Sequence, residues 1–200
     1  MRIVGIDFGA KLAGTTVGCV RVGATIEYER CAKGEDADRF VEELVKRWSP
    51  TLVGIDAPLS LPTVYRRRER DGTGDYFYRA ADRALGAMSP LFLGGLSARA
   101  MRLRDRLDGQ GIEVIEVYPA ALVRQLGDTM GGLSKAECGS DRGKLASAVA
   151  AIARWGELVT PREPATWHDV DSFLALVTVS RFQAGRAHAY GDPEEGLIHV

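Results

Sequence analysis

Apolar and polar positions divide the chain into segments of two periodicities. Residues 2 to 8, RIVGIDF, form an apolar, β-branched run; Gly9, Gly14 and Gly18 punctuate two further runs, TTVGCVRV and ATIEYERCA. These predict three strands joined by short turns. From Asp36 to Trp48 the period becomes helical, with Phe40, Val41, Leu44, Val45 and Trp48 forming an apolar face, Asp36 as N-cap and Ser49-Pro50 as the stop. The continuous apolar runs TLVGIDA (51–57) and IEVIEVY (112–118), the second ended by Pro119, predict two strands buried on both faces. Between them lie a polar, Arg-rich stretch and a helix over about 94–109 whose inner stripe is Leu96, Ala100, Leu103 and Leu107. An Ala-rich helix from Lys144 to Trp155 follows, then a strong helix from about Val170 to Ala184. The end, GDPEEGLIHV, reads as a turn and a short strand-like tail.

Three strands with hairpin-length connections form a meander. Two later strands, each reached through a helix, are parallel additions made by right-handed crossovers. The expected fold class is therefore α/β, with a mixed five-stranded sheet flanked by helices. A chain of 200 residues, 46% hydrophobic, buries roughly 70% of the surface its unfolded form exposes. This predicts one domain over 1–200, carrying a basic insertion at about 58–95.

Charge changes this picture little at first. The formal net charge is −1, from 26 basic and 27 acidic side chains, which excludes a histone-like basic protein and a disordered tail. No stretch approaches the roughly 18 to 20 apolar residues of a membrane span, and MRIVGIDFG lacks the layout of a signal peptide, so a soluble cytoplasmic protein is expected. Cys19, Cys31 and Cys138 contain no CxxC pair and read as small buried hydrophobes, without a disulfide framework or zinc knuckle. Arg outnumbers Lys 21 to 5, and Arg is the side chain that grips phosphate bidentately.

Candidate chemistry gathers at strand ends. Asp7 ends the first strand inside GIDFGAKLAG, and Asp56 ends the fourth before Ala57-Pro58, where ligands of open α/β sheets bind. Glu116, inside VIEVYP, is costly to bury unless an Arg or a metal receives it. At the start of the last helix His168 and Asp171, three apart, share a face, while Asp169 points elsewhere and reads also as an N-cap. Each acid alone has a plainer reading, as a turn or cap carboxylate or an ion-pair partner. Together they suggest a crevice whose mutual repulsion Mg²⁺ or Mn²⁺ would relieve, as in two-metal phosphodiester hydrolysis.

Between Pro58 and Arg106 stand ten Arg (66, 67, 68, 70, 79, 83, 99, 102, 104, 106) against five acids (69, 71, 75, 82, 105), ten minus five giving +5. Tyr65, Tyr76, Phe77 and Tyr78 are interspersed. Arg66, Arg67, Arg68, Arg70, Arg79 and Arg83, with Lys11 of the first turn, are the candidate nucleic-acid contacts, through phosphate pairing beside base stacking. The alternative is a solvated Arg-rich surface, with Leu91, Phe92 and Leu93 packed on the core or against a second copy in a homodimer.

GIDFG, VGIDAPLSLP, RAADRALG followed by SP, VIEVYPA, HDVDSFLAL and GDPEEG, in this order over nearly the whole chain, resemble an uncharacterised bacterial and archaeal family of domains of unknown function described as predicted nucleases. The resemblance implies a ribonuclease H-like fold, whose element order the chain shares. GIDFGAKLAG is also similar to the opening of YqgF-type and RuvC-type Holliday-junction resolvases. Carried over, the resemblance makes Asp7 the first-strand metal ligand and Asp171 the helix ligand, with His168 or Asp169 as an additional group. For the second acid the RuvC-type pattern implies Asp56 and the YqgF-type pattern Glu116. The chain lacks the Asp-Glu-Arg motif of YqgF-type proteins and is longer.

The leading expectation is a Mg²⁺- or Mn²⁺-dependent nuclease with Asp7, Asp56, Glu116 and Asp171 as metal ligands, acting on DNA or RNA. A non-enzymatic nucleic-acid-binding or scaffold module, its acids satisfied by Arg, is the alternative. A third reading takes GIDFG as the phosphate-binding turn of actin-like and sugar-kinase-like ATPases, which close two such domains around a nucleotide where 200 residues supply one.

Overall fold

The computed structural model describes residues 2–67, 72–132 and 134–200. β1 (Arg2–Asp7), β2 (Val17–Val22) and β3 (Thr25–Arg30) form the expected antiparallel meander. Helix α1 (Ala37–Trp48) starts at Asp36, whose carboxylate accepts from the Asp38 and Arg39 amides, and leads to β4 (Leu52–Asp56), parallel to β1. The segment that follows contains α2 (Ala80–Leu85), α3 (Pro90–Leu93) and α4 (Gly95–Asp108), before β5 (Glu113–Val117) pairs parallel with β4. Helices α5 (Pro119–Leu126), α6 (Lys135–Cys138), α7 (Arg142–Trp155) and α8 (Trp167–Gln183) come next.

The described residues form one seven-stranded sheet, not the expected five strands. Its order is β3-β2-β1-β4-β5-β7-β6, because the chain end folds into a hairpin, β6 (Ala189–Asp192) and β7 (Gly196–His199), that lies parallel along β5 through Glu116–Ile198 and Val117–His199. β7 is the short strand-like tail expected after the turn of GDPEEG; β6, four residues long and mostly exposed, carries no alternation that marks a strand in sequence. The hairpin covers the edge that β5 would otherwise leave unpaired.

Side-chain parity sorts the sheet into two faces. Ile3, Leu52, Ile115 and Val117 join the core under α5, α7 and α8, whereas Val4, Ile6, Val53 and Ile55 join the core under α1 and α4. Helix α8 is apolar on nearly all sides and is buried accordingly. It sits on the sheet where Gly5 and Gly54 lie side by side in register. A Cβ on Gly5 would stand 2.1 Å from the Leu176 amide nitrogen, and one on Gly54 2.4 Å from Val179 Cγ2. No larger residue fits at Gly5 without moving the α8 backbone.

Candidate metal and substrate site

The same parity aims the strand-end acids. Asp7 and Asp56 each lie two residues beyond the glycines, and so face α8. They are register neighbours on adjacent parallel strands, which brings two carboxylates together at the carboxyl edge of the sheet. Glu116 pairs in register with Ile55, one step out of phase, and Val117 on its other side points to the α8 face. Its side chain therefore goes to the opposite face. Of the two acids left open in the sequence as partner of Asp7, Asp56 is its register neighbour and Glu116 is not.

Helix α8 begins earlier than expected, at Trp167, with Thr166 as N-cap. Asp169 is its third residue and closes a capping box: Oδ2 accepts from the Ala165 and Thr166 amides and from Thr166 Oγ1, and Oδ1 from Arg30 Nε at 2.7 Å. It is fully buried and both oxygens are engaged, so Asp169 is a structural acid and not a member of the site. His168 and Asp171, on the shared face, do reach the strand ends. His168 Nδ1 donates to Asp7 Oδ2 at 2.7 Å. Trp167 Nε1 donates to Asp171 Oδ1 at 2.8 Å, with Lys135 Nζ 4.0 Å from Oδ2. Asp56 is half-buried and its carboxylate makes no hydrogen bond or ion pair among the described residues.

The electrostatics follow. Burial, then the charges of Asp7 and Asp171, hold the Asp56 carboxyl well above its ordinary range. Burial followed by the Asp7 charge pushes Asp171 up to about 7. The hydrogen bond to Asp7 raises His168 and favours its protonated form. Among the described residues no three His, Cys, Asp or Glu side chains form a ready cage for one ion. The donor set nevertheless suits Mg²⁺ or Mn²⁺, since Mg²⁺ is ordinarily held by one or two carboxylates, waters and substrate phosphate rather than by a protein cage. Asp7 and Asp56 supply hard oxygens, Asp171 a third, and Asp56 forms no ion pair among the described residues, Lys135 acting on it only through its charge.

Glu116 is bound up in a different structure. Arg79 Nη1 and Nη2 each donate to Glu116 at 2.6 Å, Nε and Nη2 donate to Asp82, and Nη1 also reaches Ser60. The Leu59 amide donates to Glu116 as well. Burial raises the Glu116 carboxyl, and the Arg79 guanidinium opposes that rise. Glu195 completes the knot, accepting from the Thr63 amide and hydroxyl and the Ala80 amide. Arg79, expected on the nucleic-acid surface, is fully buried; its guanidinium is what makes burial of Glu116 and Asp82 tolerable.

Three of the other expected basic contacts are also partnered. Lys11 pairs with Asp36, Arg83 pairs with Asp75 and lies 3.9 Å over the Tyr78 ring, and Arg66 donates to the Glu195 carbonyl. Arg67 makes no ion pair among the described residues, and Arg68 and Arg70 lie outside them. Beyond the insertion, Arg99 and Arg102 converge on Asp38, and Arg106 pairs with Glu42. Sequence reasoning missed Trp167, although its i,i+4 spacing to Asp171 is a readable signal. It missed Glu195 too, for which only tertiary contact gives a reason.

Beside Asp7 and Asp56 opens a cleft of about 240 Å³, walled by Phe8, Met88, Leu93, Leu96 and Tyr118 and floored by Arg79, Asp82 and Glu116. Leu93 thus lines the cleft, while Phe92 is exposed. No helix among the described residues is long and apolar enough to cross a membrane. No curated protein matches the chain. A family model does, across residues 5–195, a span that contains each strand-end acid and the start of α8, and the chain therefore belongs to the DUF429 family of proteins of unknown function.

Proposed function

We propose that the protein is a divalent-metal-dependent phosphodiester hydrolase acting on nucleic acid, built on a ribonuclease H-like fold, with Asp7, Asp56 and Asp171 as the metal-holding carboxylates. The observation that carries this reading is the unpartnered Asp56 carboxylate beside Asp7 at the carboxyl edge of two parallel strands, facing Asp171. The meander followed by parallel strands, with α8 across its face, is consistent with the fold named.

Mg²⁺ or Mn²⁺ bound there would supply Lewis-acid activation of water and charge neutralisation at the leaving oxygen. The chain's own side chains do the positioning. His168 holds one oxygen of Asp7 and Trp167 one oxygen of Asp171, leaving the other oxygen of each carboxylate for a cation. His168, favoured in its protonated form, also brings a positive charge close to the site, which suits a phosphate. Lys135 is the second cation at this rim.

The scaffold alternative requires acids satisfied by Arg. Asp169 with Arg30 and Glu116 with Arg79 meet that description; Asp7, Asp56 and Asp171 do not. The test is cleavage of labelled single-stranded, duplex, RNA–DNA hybrid and branched substrates by the protein and by Asp7→Asn, with Mg²⁺ or Mn²⁺ and with chelator. Metal-dependent cleavage lost in the variant is the expected result. Equal residual cleavage by both proteins rejects the assignment.

A further inference from the structure

The cleft that includes Asp7 and Asp56 has two unlike kinds of lining. Asp7, Asp56, Arg79, Asp82 and Glu116 are charged, and Phe8, Met88, Leu93, Leu96 and Tyr118 contribute carbon surface. Its volume, about 240 Å³, lies below the ~300 to 1,000 Å³ of sites that enclose a drug-sized ligand. One ring system fits; a base pair does not.

The floor offers a ligand no free donor. Arg79 has five N–H groups, and the five bonds to Asp82, Ser60 and Glu116 engage all of them. Arg79 is the one arginine lining the cleft among the described residues, so a phosphate or a base edge meets no free guanidinium among them. A flat group held by its faces is the occupant this chemistry suits. Phe92, next in sequence to Leu93, and Phe77 are 61% and 52% exposed, with ring centroids 5.6 Å apart.

We propose that this slot takes the unpaired base of the nucleotide beside the scissile phosphodiester, so that the substrate class is nucleic acid with an unstacked nucleotide, as in a single strand, a bulge or a mismatch. The proposal rests on the hydrolase reading, which sets the phosphodiester over Asp7 and Asp56 and so requires that whatever enters the slot be attached to it. Contact through faces makes the slot tolerant of base identity, since every base has a π-face. A paired base must first leave the duplex stack to enter, which disfavours perfect duplex. Phe77 and Phe92 give the following base a surface on which to stack.

The test uses the full chain with Mn²⁺ and three probes: a single strand carrying one 2-aminopurine, the same strand with an abasic site at that position, and the matched duplex. Stacking contributions imply that the base-bearing strand is cleaved at least about fivefold more efficiently, in kcat/KM, than the abasic strand, and the duplex is disfavoured likewise. In Ala87→Phe, which fills the slot, and in Met88→Ala, which removes a wall at a position 59% exposed and so spares the core, the base-to-abasic ratio falls towards one. A ratio near one in the unaltered protein, or one unchanged in both variants, overturns the slot and leaves the hydrolase reading standing. A 2-aminopurine fluorescence change that both variants abolish, without cleavage of any strand, supports the slot and overturns hydrolysis. Neither cleavage nor fluorescence change overturns both.

Discussion

Asp171 carries a charge that the fold, without a cation, makes unfavourable. Burial and the Asp7 carboxylate raise it from an ordinary value near 3.8 to about 7, so between those values the folded chain binds more protons at this position than the unfolded chain. Stability therefore falls as pH rises from about 4 to about 7. In metal-free buffer at pH 8, Asp171→Asn is expected to melt above the unaltered protein, by on the order of 1 kcal/mol or more in stability, and the difference to vanish near pH 4. Thermal unfolding across that range checks it; a variant that melts lower at pH 8 contradicts the repulsion. Mn²⁺ should reverse the order, stabilising the unaltered chain by about 2.7 kcal/mol at 100 times its dissociation constant. The two candidate second acids separate by the same measurement. Asp56→Asn should abolish the Mn²⁺ shift while leaving the metal-free protein at least as stable. Glu116→Gln should cost about 1.5 to 3 kcal/mol, through the weakened hydrogen bonds to Arg79 and the Leu59 amide, since Asp82 still pairs with Arg79, and keep the shift. A Mn²⁺ shift lost in Glu116→Gln but kept in Asp56→Asn would reverse the assignment.

At the scale of elements, the close approach of α8 to the sheet depends on Gly5 and Gly54. Gly5→Ala places a methyl against the Leu176 amide and the Ser172 carbonyl, at 2.1 and 2.6 Å, and backbone cannot yield as a side-chain tip does. The expected loss is about 3 kcal/mol, the upper end of overpacking costs, read as a lower urea midpoint. Gly95→Ala, at the start of α4 with no atom within 4 Å of the added methyl, is the control and should be neutral. Loss in both would mean that the contact with α8 is not the cause. These elements also show what the sequence makes legible. β1, β4 and β5 announce themselves through unbroken apolar runs, and α1, α4 and α7 through helical spacing; the apolar stretch of α8 is equally clear apart from its first turn. The short helices and β6 do not, because at four to eight residues their packing is decided by the surfaces they meet, and β7 is legible as a strand-like tail but not its pairing. The strand-end acids were legible as a group. Which of them meet was not, since parity selects Asp56 over Glu116 only once it is known that α8 covers one face and α4 the other.

Over the whole molecule the same distinction applies to charge. The net +5 of the Pro58–Arg106 stretch suggests a polyanion surface in sequence, yet in space its arginines are paired: Arg79 with Asp82 and with Glu116, and, on α4, Arg99 and Arg102 with Asp38 and Arg106 with Glu42. Arg83 is answered within the insertion, by Asp75. The arginine excess acts largely as an internal binder that ties the insertion and α4 to the sheet and to α1. A protein that grips nucleic acid through six to ten phosphates shows a slope of log affinity against log salt of about −5 to −9 on duplex. Here the cations near the carboxylates are few, with Lys135 and protonated His168 the foremost among the described residues. Binding of a single strand, measured with Ca²⁺ in place of the active ion and across a salt series, should therefore give a slope no steeper than about −1 to −3. Removing Lys135 as Lys135→Ala should flatten it by about one contact, while Arg83→Ala should leave it unchanged because Asp75 already holds that charge. A slope beyond −5 that falls with Arg83→Ala would return the insertion to the role its composition suggests, and would mean that its ion pairs open to receive phosphate.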